Sequence, residues 1–315
     1  MKPYVHPDTE WLAGSLGVAA HWTSWSRPLN GDPLPFEESV NAFDVDRFVS
    51  QIRRAGARHF IFTTTHAEQK LPAPHPLIDD LIPGYTTRRD LLGELCEACE
   101  AAGIRMIFYY NHSCNGNDNT PWRKACGYDD GAMDLFAARI VEIVEHMSRR
   151  YGKKLHGWWF DSFYSLSKEG PCNSVTTDLG DWKVPYAAFT GACQAGNPDS
   201  IVTYNSSVNC AFSYTPYQDY YWGEVDNLDA KPRGPFTEDG FRWHLWTCID
   251  NREWVHFRKD TPFCKPVYGD AELADWTRGH LKSGGAVTFN VECTQDAVFN
   301  PESIAQLERI APRLA

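Results

Sequence analysis

Lys154-Leu-His-Gly-Trp-Trp-Phe-Asp161-Ser-Phe163 reads as a buried strand that stops on a carboxylate. Leu155, Trp158, Trp159 and Phe160 suit a pleated, mostly buried segment, and after Gly157 no turn residue interrupts them. An acid directly after such a run stands at the carboxyl end of the strand, where α/β proteins place their chemistry. By local pattern alone Asp161 is equally well a cap on the following loop. The flanking chain decides between the two.

Upstream, Leu16-Gly-Val-Ala-Ala-His21-Trp22 is a strand of small residues ending on His and Trp. Asp44 is placed to cap a helix with Phe48, Ile52 and Ala55 on one face, closed by Gly56. Arg58 to Thr65 reads as the second strand, ended by His66. A helix from Arg88 to Ala102 leads through Gly103 to a third strand, Ile104 to Tyr110, followed by Asn111. Met133, Phe136, Ile140, Val144, Met147 and Tyr151 mark one face of the clearest helix, which delivers the chain to the Asp161 strand.

Downstream, a helix around Asp181–Ala195 precedes a fifth strand, Ser200 to Asn205. Asp219–Glu224 and Phe241–Ile249 read as strands six and seven. Glu272–Lys282 is helical, Gly285–Glu292 is the last strand, and Pro301 opens a closing helix with Ile304, Leu307 and Ile310 inward. Eight strands alternating with helices, without a linker, predict an α/β fold of the (β/α)8 TIM-like barrel type, one domain over residues 1–315. No Gly-x-Gly-x-x-Gly turn follows the first strand, which disfavours a doubly wound sheet.

Composition agrees with an ordinary globular protein: 43% hydrophobic and 23% charged residues in 315. The 12 Trp, 14 Tyr and 17 Phe are a heavy aromatic load; part of it must be core, and Trp beyond core needs often lines sites for sugars or other flat ligands. A formal charge of −11 argues against nucleic acid and anionic membranes as partners. Residues 1–10 contain no apolar signal core and no run approaches a membrane span, so a cytoplasmic location is expected. The ten cysteines are scattered and read as reduced thiols. Cys96 and Cys99 have metal-knuckle spacing but lie in a helical pattern without a second pair, so core packing is the better reading.

On a barrel the strand ends converge, bringing together His21, Trp22, His66, Tyr110, Asn111, Asp161, Asn205, Glu224, Asn290 and Glu292. Two chemistries fit that set. Paired carboxylates between aromatic walls hydrolyse a glycosidic bond. Alternatively His21, His66 and Asp161 hold a metal that activates water, a reading weakened by the absence of any His-x-His or His-Glu-x-x-His pair. The expectation is therefore no metal and no cofactor, and a carbohydrate as the partner.

Several stretches together resemble α-L-fucosidases (glycoside hydrolase family 29). Gly17-Val-Ala-Ala-His21-Trp22 with Ser26-Arg-Pro is similar to that family's opening, and Phe43-Asp-Val-Asp-Arg-Phe48 with Ala55 to His66 to its second strand. Arg89-Asp90-Leu91, the Cys99–Tyr110 segment and Ser283-Gly-Gly-Ala-Val-Thr-Phe-Asn290 follow in the family's order. Trp159-Phe-Asp161 matches the motif whose Asp is the nucleophile.

The resemblance implies a retaining, metal-independent, exo-acting hydrolase on a (β/α)8 barrel, with Asp161 as nucleophile. It implies that His21 and His66 bind sugar hydroxyls, that Tyr109 or Tyr110 lines the pocket with Asn111, and that Trp22 and Trp159 form walls. Glu224 is the expected acid/base because it follows an aromatic run that would raise its pKa; Asp219, Glu68 and Glu292 are the alternatives. Glu68, Asp219 and Trp222 complete the expected substrate-binding set.

The chain departs from the family where Ala67-Glu68-Gln69-Lys70 replaces a second His and the Asp-Gly-Phe after it, and where Ser162 replaces Gly. The usual C-terminal β-sandwich is also not recognisable, and a homo-oligomer would be one way to supply a partner surface. Other sugars (L-galactose, D-arabinose, a galactose-like unit) and an inactive sugar-binding relative stand as alternatives to fucose hydrolysis.

Overall fold

A computed structural model describes residues 4–115, 120–169, 174–210, 212–250 and 254–314. Cys172, one of the ten cysteines, lies outside the described residues. The strands are β1 (Leu16–Ala20), β2 (His59–Thr65), β3 (Arg105–Asn111), β4 (Leu155–Asp161), β5 (Ile201–Tyr204), β6 (His244–Cys248) and β7 (Ala286–Asn290). They form one parallel sheet in the order β5-β4-β3-β2-β1-β7-β6. Between them run α1 (Phe36–Asn41), α2 (Val45–Arg54), α3 (Pro76–Leu81), α4 (Leu91–Ala101), α5 (Thr120–Cys126), α6 (Met133–Tyr151), α7 (Tyr186–Gln194), α8 (Asp270–Lys282) and α9 (Pro301–Ile310).

Helices α2, α4 and α9 start where a side chain satisfies a free amide. Asp44 accepts from Arg47 N at 2.9 Å, Asp90 from Gly93 N at 3.0 Å, and Asn300 from Glu302 N at 3.1 Å with Pro301 as first helical residue. On α6 the six apolar residues of the expected stripe are all buried. Cys96 and Cys99 are buried core residues of α4, and the nine described cysteines are free. No helix among the described residues is long and apolar enough to cross a membrane.

Strand parity sorts the side chains into two layers. Val18, Ala20, Phe60, Phe62, Phe108, Tyr110, Trp158 and Phe160 pack with the helices, whereas Ala19, Ile61, Ile107, Tyr109 and Trp159 belong to a separate interior cluster. His21 continues the inward parity of β1, and Asp161 that of β4. In β2 the register shifts between Thr63 and Thr65, so Thr63 pairs with Tyr109 but Thr65 with Tyr110. That irregularity turns even-numbered His66 to the inward side of a strand whose inward residues are otherwise odd.

Deeper in the sheet, interior polar groups form a directional chain. His244 Nδ1 lies 3.1 Å from Tyr221 O, which only accepts, so Nδ1 donates and Nε2 accepts from Thr288 Oγ1 at 2.8 Å. Thr288 then accepts from His59 Nε2 at 2.7 Å, and His59 Nδ1 accepts from Ser15 at 2.7 Å. Both imidazoles are neutral in this arrangement.

Among the described residues the expected eight regular strands are seven. Asp219–Glu224, read as strand six, is irregular and contributes only isolated bridges, Tyr220 with Arg242 and Glu224 with Trp246. The cause is Gly223, whose φ of +68° breaks the pleat and whose missing Cβ would lie 2.0 Å from His244 O. The segment still lies between β5 and β6: Asp219 N donates to Val202 O, and Trp246 N to Gly223 O. Residues 226–240 form turns rather than a helix, so the expected alternation lapses there.

Candidate active site

Asp161 ends β4 and accepts from three side chains. Tyr109 Oη donates to Oδ2 at 2.6 Å, Asn111 Nδ2 to Oδ2 at 3.2 Å, and Asn205 Nδ2 to Oδ1 at 2.9 Å. Each donor comes from the end of a neighbouring strand or the residue after it. The same Asn205 nitrogen donates to Glu224 Oε2 at 2.8 Å. The next residue, Ser162, has φ +66° and ψ +11°, and its hydroxyl accepts from Asn111 at 2.9 Å. Left-handed backbone also occurs at Ala67, Ser113 and Ser207, just past β2, β3 and β5. Such non-glycine strain concentrates where loops must turn sharply around a site.

Burial, reinforced by the charge of Asp161, pushes the Glu224 carboxyl up to about 8; the Asn205 bond opposes the shift. Two partly buried carboxyls thus have different roles available: Glu224 retains a proton at neutral pH, while Asp161 faces three hydrogen-bond donors. His21 is pushed down to about 3, chiefly by burial and then by His66. Its Nδ1 lies 2.9 Å from Asn290 Oδ1, while Asn290 Nδ2 donates to Trp254 O at 3.1 Å. That orientation makes His21 Nδ1 a donor and leaves Nε2 as an acceptor. Burial also lowers His66, against the pull of Asp161.

The walls are aromatic. Tyr109 stacks on Trp159 with ring centres 5.3 Å apart, and Trp246 meets Trp159 edge-on at 4.6 Å. Trp254 lies 5.4 Å from Trp246 and 5.1 Å from His21. Trp246 Nε1 is buried without a hydrogen-bond partner.

The structure brings His21, His66, Tyr109, Asn111, Trp159, Asp161 and Glu224 together. Other expected site residues go elsewhere. Trp22 and Tyr110 have outward parity: Trp22 packs against Phe36, Phe43 and Phe62, and the Tyr110 hydroxyl accepts from Gln69 at 2.6 Å in the helix layer. Asp219 lies level with Val202, three residues before Asn205, where it accepts from Val202 N, Tyr4 and His6. It staples the irregular segment in place rather than facing the site. Trp222 is fully buried in the same interior cluster as Tyr109, Trp159 and Trp246, with its indole donating to Ser207 O. Glu68 is held by Ser24 and Lys70, and Glu292 by His256 and Cys264 N.

Asn205 was recognisable as a strand end, but its joint hold on two carboxyls was not. Trp246 and Trp254 were missed: the faces of β6 could not be assigned without its register, and Trp254 lies in an irregular loop. The metal alternative fits poorly, because His21 Nδ1 is committed to Asn290 and Asp161 faces N–H and O–H donors. Among the described residues no group of three or more His, Cys, Asp or Glu is arranged to hold a metal.

The family model for alpha-L-fucosidase matches residues 36–314. No curated protein sequence matches significantly. Among solved structures, an endo-fucoidan hydrolase of glycoside hydrolase family 107 superposes with a TM-score of 0.69 at 20% identity, over 96% of this chain and 53% of its own. A second family 107 endo-fucoidan hydrolase gives 0.71 at 20%, over 97% and 64%. A family 29 alpha-L-fucosidase from Bacteroides thetaiotaomicron gives 0.65 at 17%, over 99% and 74%. The chain thus spans about half the length of the first of these structures, and at such identities the likeness is one of fold. By the family match over most of its length, the chain belongs to the alpha-L-fucosidase family.

Proposed function

We propose that the protein is a retaining glycoside hydrolase of α-L-fucosidase type, on a barrel that closes through Asp219–Val225. Asp161 attacks the anomeric carbon as the exocyclic C–O bond breaks, and Glu224 gives its proton to the departing oxygen. Water then attacks the glycosyl ester, losing a proton to Glu224 and releasing Asp161.

The observation that carries this reading is the shared Asn205 nitrogen. The bonded oxygens of Asp161 and Glu224 can be no further apart than 2.9 and 2.8 Å laid end to end. That suits the about 5–5.5 Å of retaining pairs better than the about 6.5–9.5 Å that inversion requires. A proton-retaining acid beside a hydrogen-bonded nucleophile also favours catalysis over sugar binding alone.

In this reading His21 Nε2, left as an acceptor by the bond from Nδ1 to Asn290, takes a sugar hydroxyl, with His66 beside it at 5.6 Å between ring centres. A second reading keeps the mechanism and changes the sugar. Where the family motif has its second His, Ala67 turns the chain at φ +53°, Glu68 is tied to Ser24 and Gln69 to Tyr110. The loop therefore offers no imidazole in compensation.

Aryl-glycoside hydrolysis by wild type and Asp161→Ala tests the proposal, with 4-nitrophenyl α-L-fucoside beside galactosides and arabinosides. The expected loss in the variant is at least about 1,000-fold. Activity within a few-fold of wild type would refute the mechanism, and turnover of another sugar instead would select the second reading.

A further inference from the structure

Two asparagines hold Asp161, and both are oriented in the same way. Ser113 N donates to Asn111 Oδ1 at 2.7 Å, and Ser207 N to Asn205 Oδ1 at 2.9 Å. Both bonds close short turns at residues of positive φ, Ser113 at +56° and Ser207 at +112°. With each side-chain oxygen taken by a backbone amide, each Nδ2 faces Asp161. The Asn205 nitrogen divides its two hydrogens between Asp161 Oδ1 and Glu224 Oε2. The Asn111 nitrogen divides its own between Asp161 Oδ2 at 3.2 Å and Ser162 Oγ at 2.9 Å, with the Tyr109 hydroxyl further off at 3.4 Å. Ser162 thus occupies beside Asn111 the place that Glu224 occupies beside Asn205.

Ser162 is fully buried and firmly anchored. Its carbonyl accepts from Ser165 Oγ at 2.7 Å, Ser165 N at 2.9 Å and His112 Nε2 at 2.8 Å. His112 Nδ1 accepts from Cys114 N at 3.2 Å, so Nε2 is the nitrogen that carries the proton. A residue with a Cβ at φ +66° and ψ +11° carries backbone strain that glycine avoids. Glycine would keep every bond to the Ser162 carbonyl and give up only the one from Asn111. What serine adds against that strain is a fixed acceptor, which aims the other Asn111 hydrogen at Asp161. Glu224 gives up and regains a proton during hydrolysis, whereas the Ser162 hydroxyl does not titrate. The Asn111 arm therefore stays set while the Asn205 arm is shared between two carboxyls.

We propose that Ser162 is a positioning residue for the nucleophile: its hydroxyl fixes the Asn111 amide so that Asp161 keeps one orientation through both hydrolytic steps. This rests on the glycosidase reading above. Ser162 acts through Asn111 and does not touch the sugar, so its removal slows the reaction without weakening substrate binding.

The test measures kcat, KM and melting temperature on the aryl glycoside that wild type cleaves, in Ser162→Gly, Ser162→Ala, Asn111→Ala and the double variant of Ser162→Gly with Asn111→Ala. Both Ser162 variants should lose about tenfold in kcat with KM within about twofold of wild type. Only Ser162→Gly is relieved of strain, so it should melt above Ser162→Ala while losing as much activity. Added to Asn111→Ala, Ser162→Gly should change kcat by less than about twofold. The role is overturned if kcat of Ser162→Gly stays within about twofold of wild type, if activity follows melting temperature, or if the two losses multiply in the double variant. Should Asn111→Ala fail to fold, the two Ser162 variants decide alone. If wild type cleaves no glycoside, the glycosidase reading fails, and crystal structures of wild type and Ser162→Gly decide the placement. An Asn111 Nδ2 that moves beyond about 3.5 Å from Asp161 Oδ2 in the variant supports it; a distance kept at 3.2 Å overturns it.

Discussion

Asp161 and Glu224 are bridged by one nitrogen atom, the Asn205 amide, which donates to both carboxyls. Burial of Glu224, reinforced by the nearby charge of Asp161, keeps its carboxyl protonated up to about pH 8.

The first expected outcome concerns pH. A general acid must be protonated, so kcat/KM falls as pH rises through about 8, and Glu224→Gln loses this limb. The Asn205 bond favours the charged carboxylate, so Asn205→Ala moves the limb upward while lowering kcat by about 10–100-fold. Stability follows the same shift. Between pH 4.5 and about 8 the unfolded chain ionises Glu224 while the folded protein retains its proton, so rising pH costs stability. Glu224→Gln is therefore more stable than wild type at pH 8 and similar to it at pH 4. Denaturant titrations at both pH values check this.

Tyr109→Phe removes the 2.6 Å bond to Asp161 Oδ2 and leaves the ring stacked on Trp159. The expected stability loss is about 1 kcal/mol, while kcat falls by about 10–100-fold with little change in KM. Steady-state kinetics together with a urea titration separate the two effects.

Acid destabilises the fold. Burial holds His21 down to about 3, His112 and His244 to about 4, and His59 well below its usual range. Their stabilisation is complete above pH 6.5, the unfolded value, and is lost as pH falls through the folded pKa values. The raised carboxyls of Asp219, Glu224 and Asp250 act in the opposite sense. With His75 also lowered, to about 4, the five histidines outnumber them. The urea midpoint at pH 5 should therefore lie below that at pH 7.5.

Gly223→Ala places a Cβ 2.0 Å from His244 O at a φ of +68°. Neither β6 nor the Glu224 segment can move without breaking the Trp246 N to Gly223 O bond. A loss of about 3 kcal/mol or more is expected, with activity falling even where the variant remains folded. Thermal melts and residual turnover provide the check.

The longer helices and most strands were legible because they follow local rules, whereas the short helices α1, α3 and α5 fall in stretches whose Pro, Gly and Asn residues read as loops. Asp44 and Asn300 cap their own helices, the α6 stripe repeats at helical spacing, and Asp161 ends an uninterrupted apolar run. These signals lie within a few residues of one another, so the chain itself determined the alternating α/β order and the position of Asp161 at the end of its strand. The tertiary structure decided which face each strand-end residue occupies. Trp22 and Tyr110 went to the helix layer by parity, and the irregularity in β2 brought His66 inward. It also decided that the sixth strand position is a glycine-broken segment. The bonds from Asn205 to Asp161 and Glu224 cross 44 and 19 residues. Such distances are set by strand register and by how the segment between β5 and β6 is packed, neither of which is encoded in any single stretch of sequence.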